Sequence, residues 1–175
     1  INLVRADGID PIGSSEVQIY DCRIQVGDDA ICLKGHDQWK DLQNDRPTHH
    51  IWVDNCVIST SCNAIKTGTE SQRDMHHLWV KNCKIYNHPN SDLKAESALS
   101  FTAVDGGKVH DIFVDSVEIS GVHSPIFLRL GRRNKRNPEG KSALGNIFLS
   151  HIQIDGADQP ISLHGLPELR IGKVR

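Results

Sequence analysis

Residues 51–56 read Ile51-Trp52-Val53-Asp54-Asn55-Cys56, and residues 78–83 read Leu78-Trp79-Val80-Lys81-Asn82-Cys83. The same pattern stands at Val17-Gln18-Ile19-Tyr20-Asp21-Cys22, Ile112-Phe113-Val114-Asp115-Ser116 and Ile147-Phe148-Leu149-Ser150-His151. Side chains alternate with period two, which argues for a strand and against a helix. Each segment ends in a polar dyad, and a further aliphatic residue follows: Ile24, Ile58, Ile85, Ile119 and Ile152.

A second motif runs in step with the first. It reads Asp7-Gly8-Ile9, Asp29-Ala30-Ile31, Asn63-Ala64-Ile65, Ser97-Ala98-Leu99, Ser124-Pro125-Ile126 and Gln159-Pro160-Ile161. The steps are 22, 34, 34, 27 and 35 residues. Short strands repeating at that period describe an all-β parallel solenoid. One turn cannot bury its own apolar face, whereas stacked turns can, with equivalent residues roughly 4.8 Å apart. A doubly wound α/β fold lacks any segment of 3.6-residue period long enough to cross over, and a β-sandwich lacks its hairpin turns. The expectation is one parallel β-helix domain over residues 1–175, part of a longer β-helix, because neither end resembles a cap for the exposed strand edges. Polar insertions at Gln38 to Thr48, His88 to Glu96 and Arg132 to Ser142 are expected to wall a groove.

Composition narrows the partners. Twenty Lys and Arg face 22 Asp and Glu, a formal charge of −2. The basic run Arg132, Arg133, Lys135 and Arg136 is local, so nucleic acid is not the expected partner. No apolar run is long enough to span a bilayer. The chain starts at Ile1 without a Met, so any targeting segment would be missing from it. A monomer with no cofactor and no metal is expected.

Stacking explains many conspicuous residues. Cys22, Cys56 and Cys83 recur at one place in successive turns and read as a buried thiol column, not a metal site. Asn55 and Asn82 are expected to bond the backbone of the adjacent turn. His49-His50, His76-His77 and His110 read as a solvent-facing ladder, with metal binding the competing reading. The acids differ: Asp7 and Asp29 share a register, and Asp28 adjoins Asp29. Clustered like charges should push at least one carboxyl pKa upward. Glycoside hydrolysis uses one protonated acid and one carboxylate; a Ca²⁺ site or solvated Asp turns would use the same residues.

At these residues the sequence resembles the family 28 glycoside hydrolases, the polygalacturonase group. Gly27-Asp28-Asp29 matches that family's Gly-Asp-Asp motif, and Arg5-Ala6-Asp7-Gly8 matches Asn-Thr-Asp-Gly in part. The resemblance implies a right-handed parallel β-helix and inverting hydrolysis of an acidic, pectic polysaccharide of galacturonan or rhamnogalacturonan type, by a secreted or periplasmic enzyme. It implies Asp29 as general acid, with Asp7 and Asp28 positioning and deprotonating water. Lys34 would lie in the groove and pair with a uronate carboxylate, and His36, Asn63, Lys66, Arg129 and Arg132 are further substrate-binding candidates. The family's Gly-His-Gly is replaced by Cys62-Asn63-Ala64, and its Arg-Ile-Lys by a stretch containing Arg129 and Arg132. Two other readings stay open: a polysaccharide lyase on the same fold, with Lys66 or Arg129 as base, and a carbohydrate-binding β-helix without catalysis.

Overall fold

A computed structural model describes residues 2, 3, 5–35, 46–87, 94–133 and 139–175. Among the described residues no helix forms, and so none is long and apolar enough to cross a membrane. The chain is a parallel β-helix. The first sheet takes β1 (Asn2–Leu3), β2 (Ser15–Tyr20), β3 (Arg23–Val26), β5 (Thr48–Asp54), β6 (Val57–Thr60), β8 (Met75–Tyr86), β10 (Lys108–Ser120) and β12 (Ala143–Asp155). The second takes β4 (Ile31–Leu33), β7 (Asn63–Thr67), β9 (Ser97–Ala103), β11 (Ser124–Leu130) and β13 (Ser162–His164). Neighbouring strands are parallel throughout both sheets.

The register follows the two sequence motifs. Val17, Ile51, Leu78, Ile112 and Ile147 form one column. Ile9, Ile31, Ile65, Leu99 and Ile126 form another. Most of these side chains are fully buried and meet Phe101 and Met75 in a continuous core. Each such aliphatic side chain contributes about 1.5–3 kcal/mol when withdrawn from water. One aliphatic assignment shifts. The column of Ile24, Ile58, Ile85 and Ile119 continues at Ile154, and Ile152 instead follows Val117.

The polar dyads mark a corner. Asp21, Asn55, Asn82, Ser116 and His151 all have φ between 50° and 56°. Short polar side chains tolerate this left-handed conformation better than apolar ones. The strand ends there in the early turns, as expected, but β8, β10 and β12 run straight through it. The Asn55 and Asn82 side chains reach carboxylates where backbone partners were expected. Their amides donate to Asp21 Oδ1 at 2.7 Å and Asp54 Oδ1 at 2.9 Å on the preceding turn. A carboxylate one rung away is a stronger acceptor than a carbonyl already used by the sheet.

In the thiol column Cys56 and Cys83 are buried, as anticipated, and Cys22 is half-buried. Cys22, Cys56 and Cys83 share a register that Val117 and Ile152 continue, so the position accepts whatever small apolar group fills it. All five cysteines are free. Much of each expected insertion, namely residues 38–45, 88–93 and 134–138, lies outside the described residues.

Candidate active site

The second sheet positions the acids. Before Ile9 pairs with Ile31, the Gly8 N–H donates to Asp29 O at 2.8 Å. A β-carbon at Gly8 would sit 2.4 Å from Ala30 O, so only glycine permits this approach. Asp7 is thereby set beside the next turn. The Asp29 backbone N–H points to both other acids, with Asp28 Oδ1 at 2.9 Å and Asp7 Oδ1 at 3.2 Å. The turn carrying Asp28 is pinned from the following turn: the Thr60 hydroxyl donates to Asp28 O, and the Ser61 hydroxyl to Gly27 O. The three acids predicted as catalytic do converge.

Their environments differ. Asp28 is exposed, whereas Asp29 is only 4 % exposed. Asp29 Oδ1 accepts from Asn63 Nδ2 at 2.6 Å and Asn63 N at 3.1 Å, and Oδ2 accepts from Lys66 Nζ at 2.6 Å. Burial pushes the Asp29 carboxyl up, but the Lys66 charge and hydrogen bonds from Lys66, Asn63 and Cys62 outweigh it and hold the group below the usual carboxylate range. These partners favour the charged form of Asp29, the opposite of what a resting proton donor needs.

The upward shift expected of an acid cluster falls on Asp10, which sequence reasoning did not include. Burial raises the Asp10 carboxyl to about 6, opposed by Lys34 and assisted by Asp7. Asp10 Oδ1 is buried without a hydrogen-bond partner among the described residues, while Oδ2 accepts from Lys34 Nζ at 2.6 Å. The same ammonium donates to Asp7 Oδ2 at 2.7 Å. Lys34 is 9 % exposed and sits between two acids. Its ammonium, expected along the groove, is thus held by two carboxylates of the first turn. The signal for Asp10 was present, since it lies three residues beyond Asp7 on the segment that pairs with the Lys34 strand.

Asp28, Asp29 and Cys62 each bring one ligand atom within 4.8 Å of the others. The donor set suits a hard cation poorly. Lys66 already meets the Asp29 charge, and burial followed by Asp29 pushes the Cys62 thiol up to about 12.

Beyond the acids, the same sheet forms the floor of a cavity of about 470 Å³. The column that starts at Asp29 continues through Asn63, Ser97 and Ser124, all of which line it. Lys66, Ser100, Phe127 and Ser162 form a parallel column on the outer face. Arg129 also lines the cavity, exposed and with no ion-pair partner among the described residues. Arg132 does not join it and instead pairs with Glu168 at 3.2 Å on the surface. Its neighbour Arg133, which was not foreseen as a site residue, binds the fully buried Asp105 and donates to Thr69 O and Oγ1 at 3.0 Å. Thr69 lines the cavity, so this ion pair fixes one rim of it. His36 lies outside the described residues.

Asn63 and Lys66, which bond Asp29, thus also line a hydroxyl-rich groove that holds the Phe127 ring and the Arg129 guanidinium, the latter without an ion-pair partner among the described residues. That is suited to a chain of sugars carrying carboxylates. A family model described as glycosyl hydrolases family 28 matches residues 4–158. No curated protein and no solved structure matches the chain.

Proposed function

The chain belongs to glycosyl hydrolase family 28 and is thereby a glycoside hydrolase of pectin-like polysaccharides, and on that premise we propose that Asp7, Asp28 and Asp29 hydrolyse an acidic pectic chain by general acid/base catalysis with inversion. The observation that carries the role assignment is the Lys66–Asp29 ion pair at 2.6 Å. A carboxylate held ionised cannot donate a proton, but it can accept one from water. Asp29 is the base. Asp28, the exposed member of the pair, is the acid that protonates the leaving oxygen. Asp7, held by Lys34 and by the Asp29 N–H, orients the water. Arg129 binds a substrate carboxylate along the groove, and Phe127 offers its ring to a sugar face. A polymeric cell-wall substrate supports a secreted or periplasmic location.

A retaining reaction is the second reading, because oxygens of Asp28 and Asp29 lie within 4.8 Å. Retaining pairs stand about 5–5.5 Å apart and inverting pairs about 6.5–9.5 Å. Against it, a nucleophile must advance onto the anomeric carbon, from which Asn63 and Lys66 hold Asp29 back, whereas a base needs only a lone pair beside the one bond of Oδ2 to Lys66.

The test is hydrolysis of pectic polysaccharides followed as new reducing ends, as ultraviolet absorbance, and by NMR of the first-formed anomer. Inverted product without absorbance supports the reading, and Asp28→Asn should lower kcat by about 10²–10⁴-fold with little loss of stability. Retained configuration would install Asp29 as nucleophile. Absorbance from a new double bond would mean a lyase, and an Asp28→Asn enzyme of normal activity would remove Asp28 as the acid.

A further inference from the structure

The other sheet carries a cluster that hydrolysis does not use. His49, His76 and His110 stack in register on β5, β8 and β10, with ring centroids 5.0 Å apart at each step. Beside them, His50 stacks on His77 at 4.7 Å. Adjacent residues of a strand normally point to opposite faces. Here His50 and His77 have φ of 55°, which swings each imidazole to the side of its predecessor. The result is a ladder of crossed pairs. His49 and His50 meet at 80° with their Nδ1 atoms 2.7 Å apart, and His76 and His77 meet at 76° with the same separation. The next rung is His110 with Asp111, whose Oδ2 lies 2.7 Å from His110 Nδ1 and 4.0 Å from His77 Nδ1.

Each crossed pair brings two ring nitrogens to hydrogen-bonding distance of each other, where a proton can bridge them. A metal ion can take that place. With metal–nitrogen bonds of about 2.0–2.1 Å, ligands at right angles stand about 2.9 Å apart, and tetrahedral ligands about 3.3 Å apart. The observed 2.7 Å is close to the right-angled value. We propose that the His76–His77 rung is a binding site for a divalent ion of tetragonal preference, Cu²⁺ foremost, with the two Nδ1 atoms as adjacent ligands and the Asp111 charge behind them. Water completes the coordination, since the side chains of His77 and His110 are about one-third exposed. Asp111 selects this rung over His49–His50. A second ion on the neighbouring rung, about 5 Å away, would be weakened by more than about 100-fold even at the dielectric of water. One ion per chain is the consequence.

The full chain titrated with copper(II) chloride in a non-coordinating buffer should take up one equivalent by calorimetry. Its electron paramagnetic resonance spectrum should be axial, with splitting from two imidazole nitrogens. The double variant His50→Asn/His77→Asn breaks both nitrogen-only rungs with a residue suited to positive φ, and should lose affinity by at least about 10-fold. Zinc should bind at least about 10-fold more weakly than copper to the wild type. Equal copper binding by the double variant, or zinc binding as tight as copper, would overturn the site. If the variant does not fold, the copper and zinc affinities of the wild type decide the question by themselves. Trp79 lies 5.7 Å from His77, ring to ring, so one equivalent of copper should quench its fluorescence, and unquenched emission rejects the proposal.

Discussion

Replacing Lys66 with Met removes the charge next to Asp29 and keeps most of the side-chain volume. Lys66 and Asp29 are 15 % and 6 % exposed in their side chains and 2.6 Å apart. Breaking one partner out of such a buried pair costs about 3–5 kcal/mol, because the remaining charge has lost its compensation. The sign of the pH dependence follows. The Asp29 carboxyl is depressed in the folded protein, so its contribution to stability is present above the unfolded carboxylate range and is lost as pH falls through the folded value. Lys66→Met should therefore be destabilised most near pH 7 and progressively less in acid, where Asp29 is protonated and needs no partner. Catalysis should report the same group. If Asp29 is the base, activity falls when it gains a proton, and the acid limb of kcat/KM against pH should move to higher pH in the variant. Denaturant unfolding at several pH values and the pH–rate profile measure the two effects. An acid limb that stays in place in a folded Lys66→Met protein would refute the assignment of Asp29 as the base. A stability loss equal at neutral and acid pH would refute the ion pair as its origin.

Three further outcomes are expected. Arg129→Met should raise KM for acidic oligomers by about 10–100-fold, the worth of one charge-assisted hydrogen bond at about 1.5–3 kcal/mol, and leave neutral oligomers unaffected; equal effects on both would exclude carboxylate recognition by Arg129. Asp10 binds its proton more tightly when folded, titrating at about 6 against 3.8, so its contribution favours the fold below the unfolded value and is lost as pH rises from about 4 to about 6. Asp10→Asn should flatten that part of the wild-type stability curve, and an unchanged slope would count against the shift. Phe101 is fully buried between the sheets, and Phe101→Ala should cost about 3–5 kcal/mol in a denaturant titration, where a loss below about 1 kcal/mol would mean that the core closes over the gap.

The fold was legible because a solenoid states its register repeatedly. Ile31, Ile65 and Leu99 each follow a small residue and a polar one, and no other architecture asks for that recurrence. Asp28 and Asp29 were legible for the same reason, since Asp7 returns one turn earlier. What escaped was the chemistry between side chains of different turns. Lys34 has the spacing of a groove residue, but two acids of the first turn draw it inward. Lys66 read as a substrate-binding candidate, and its ion pair with Asp29 spans a turn of the solenoid. Asn55 could be placed at a corner from its neighbours alone, yet its acceptor depends on Asp21, 34 residues away. The paired imidazoles were visible as His-His dipeptides, but their crossing depends on the positive φ of His50 and His77, which no periodicity encodes.

The uniform parallel register also makes the molecule mechanically anisotropic. Strands run across the solenoid axis, and the hydrogen bonds joining Ile31 to Ile65 and Leu78 to Ile112 belong to ladders that run along it. Tension across the axis loads covalent backbone, while tension along it loads one ladder at a time. A chain held at its two ends in an optical trap would accordingly peel turn by turn. Turns of 22 to 35 residues would each release about 70–120 Å of extended polypeptide, and the two shorter steps would identify the turns from Asp7 to Asp29 and from Ser97 to Ser124.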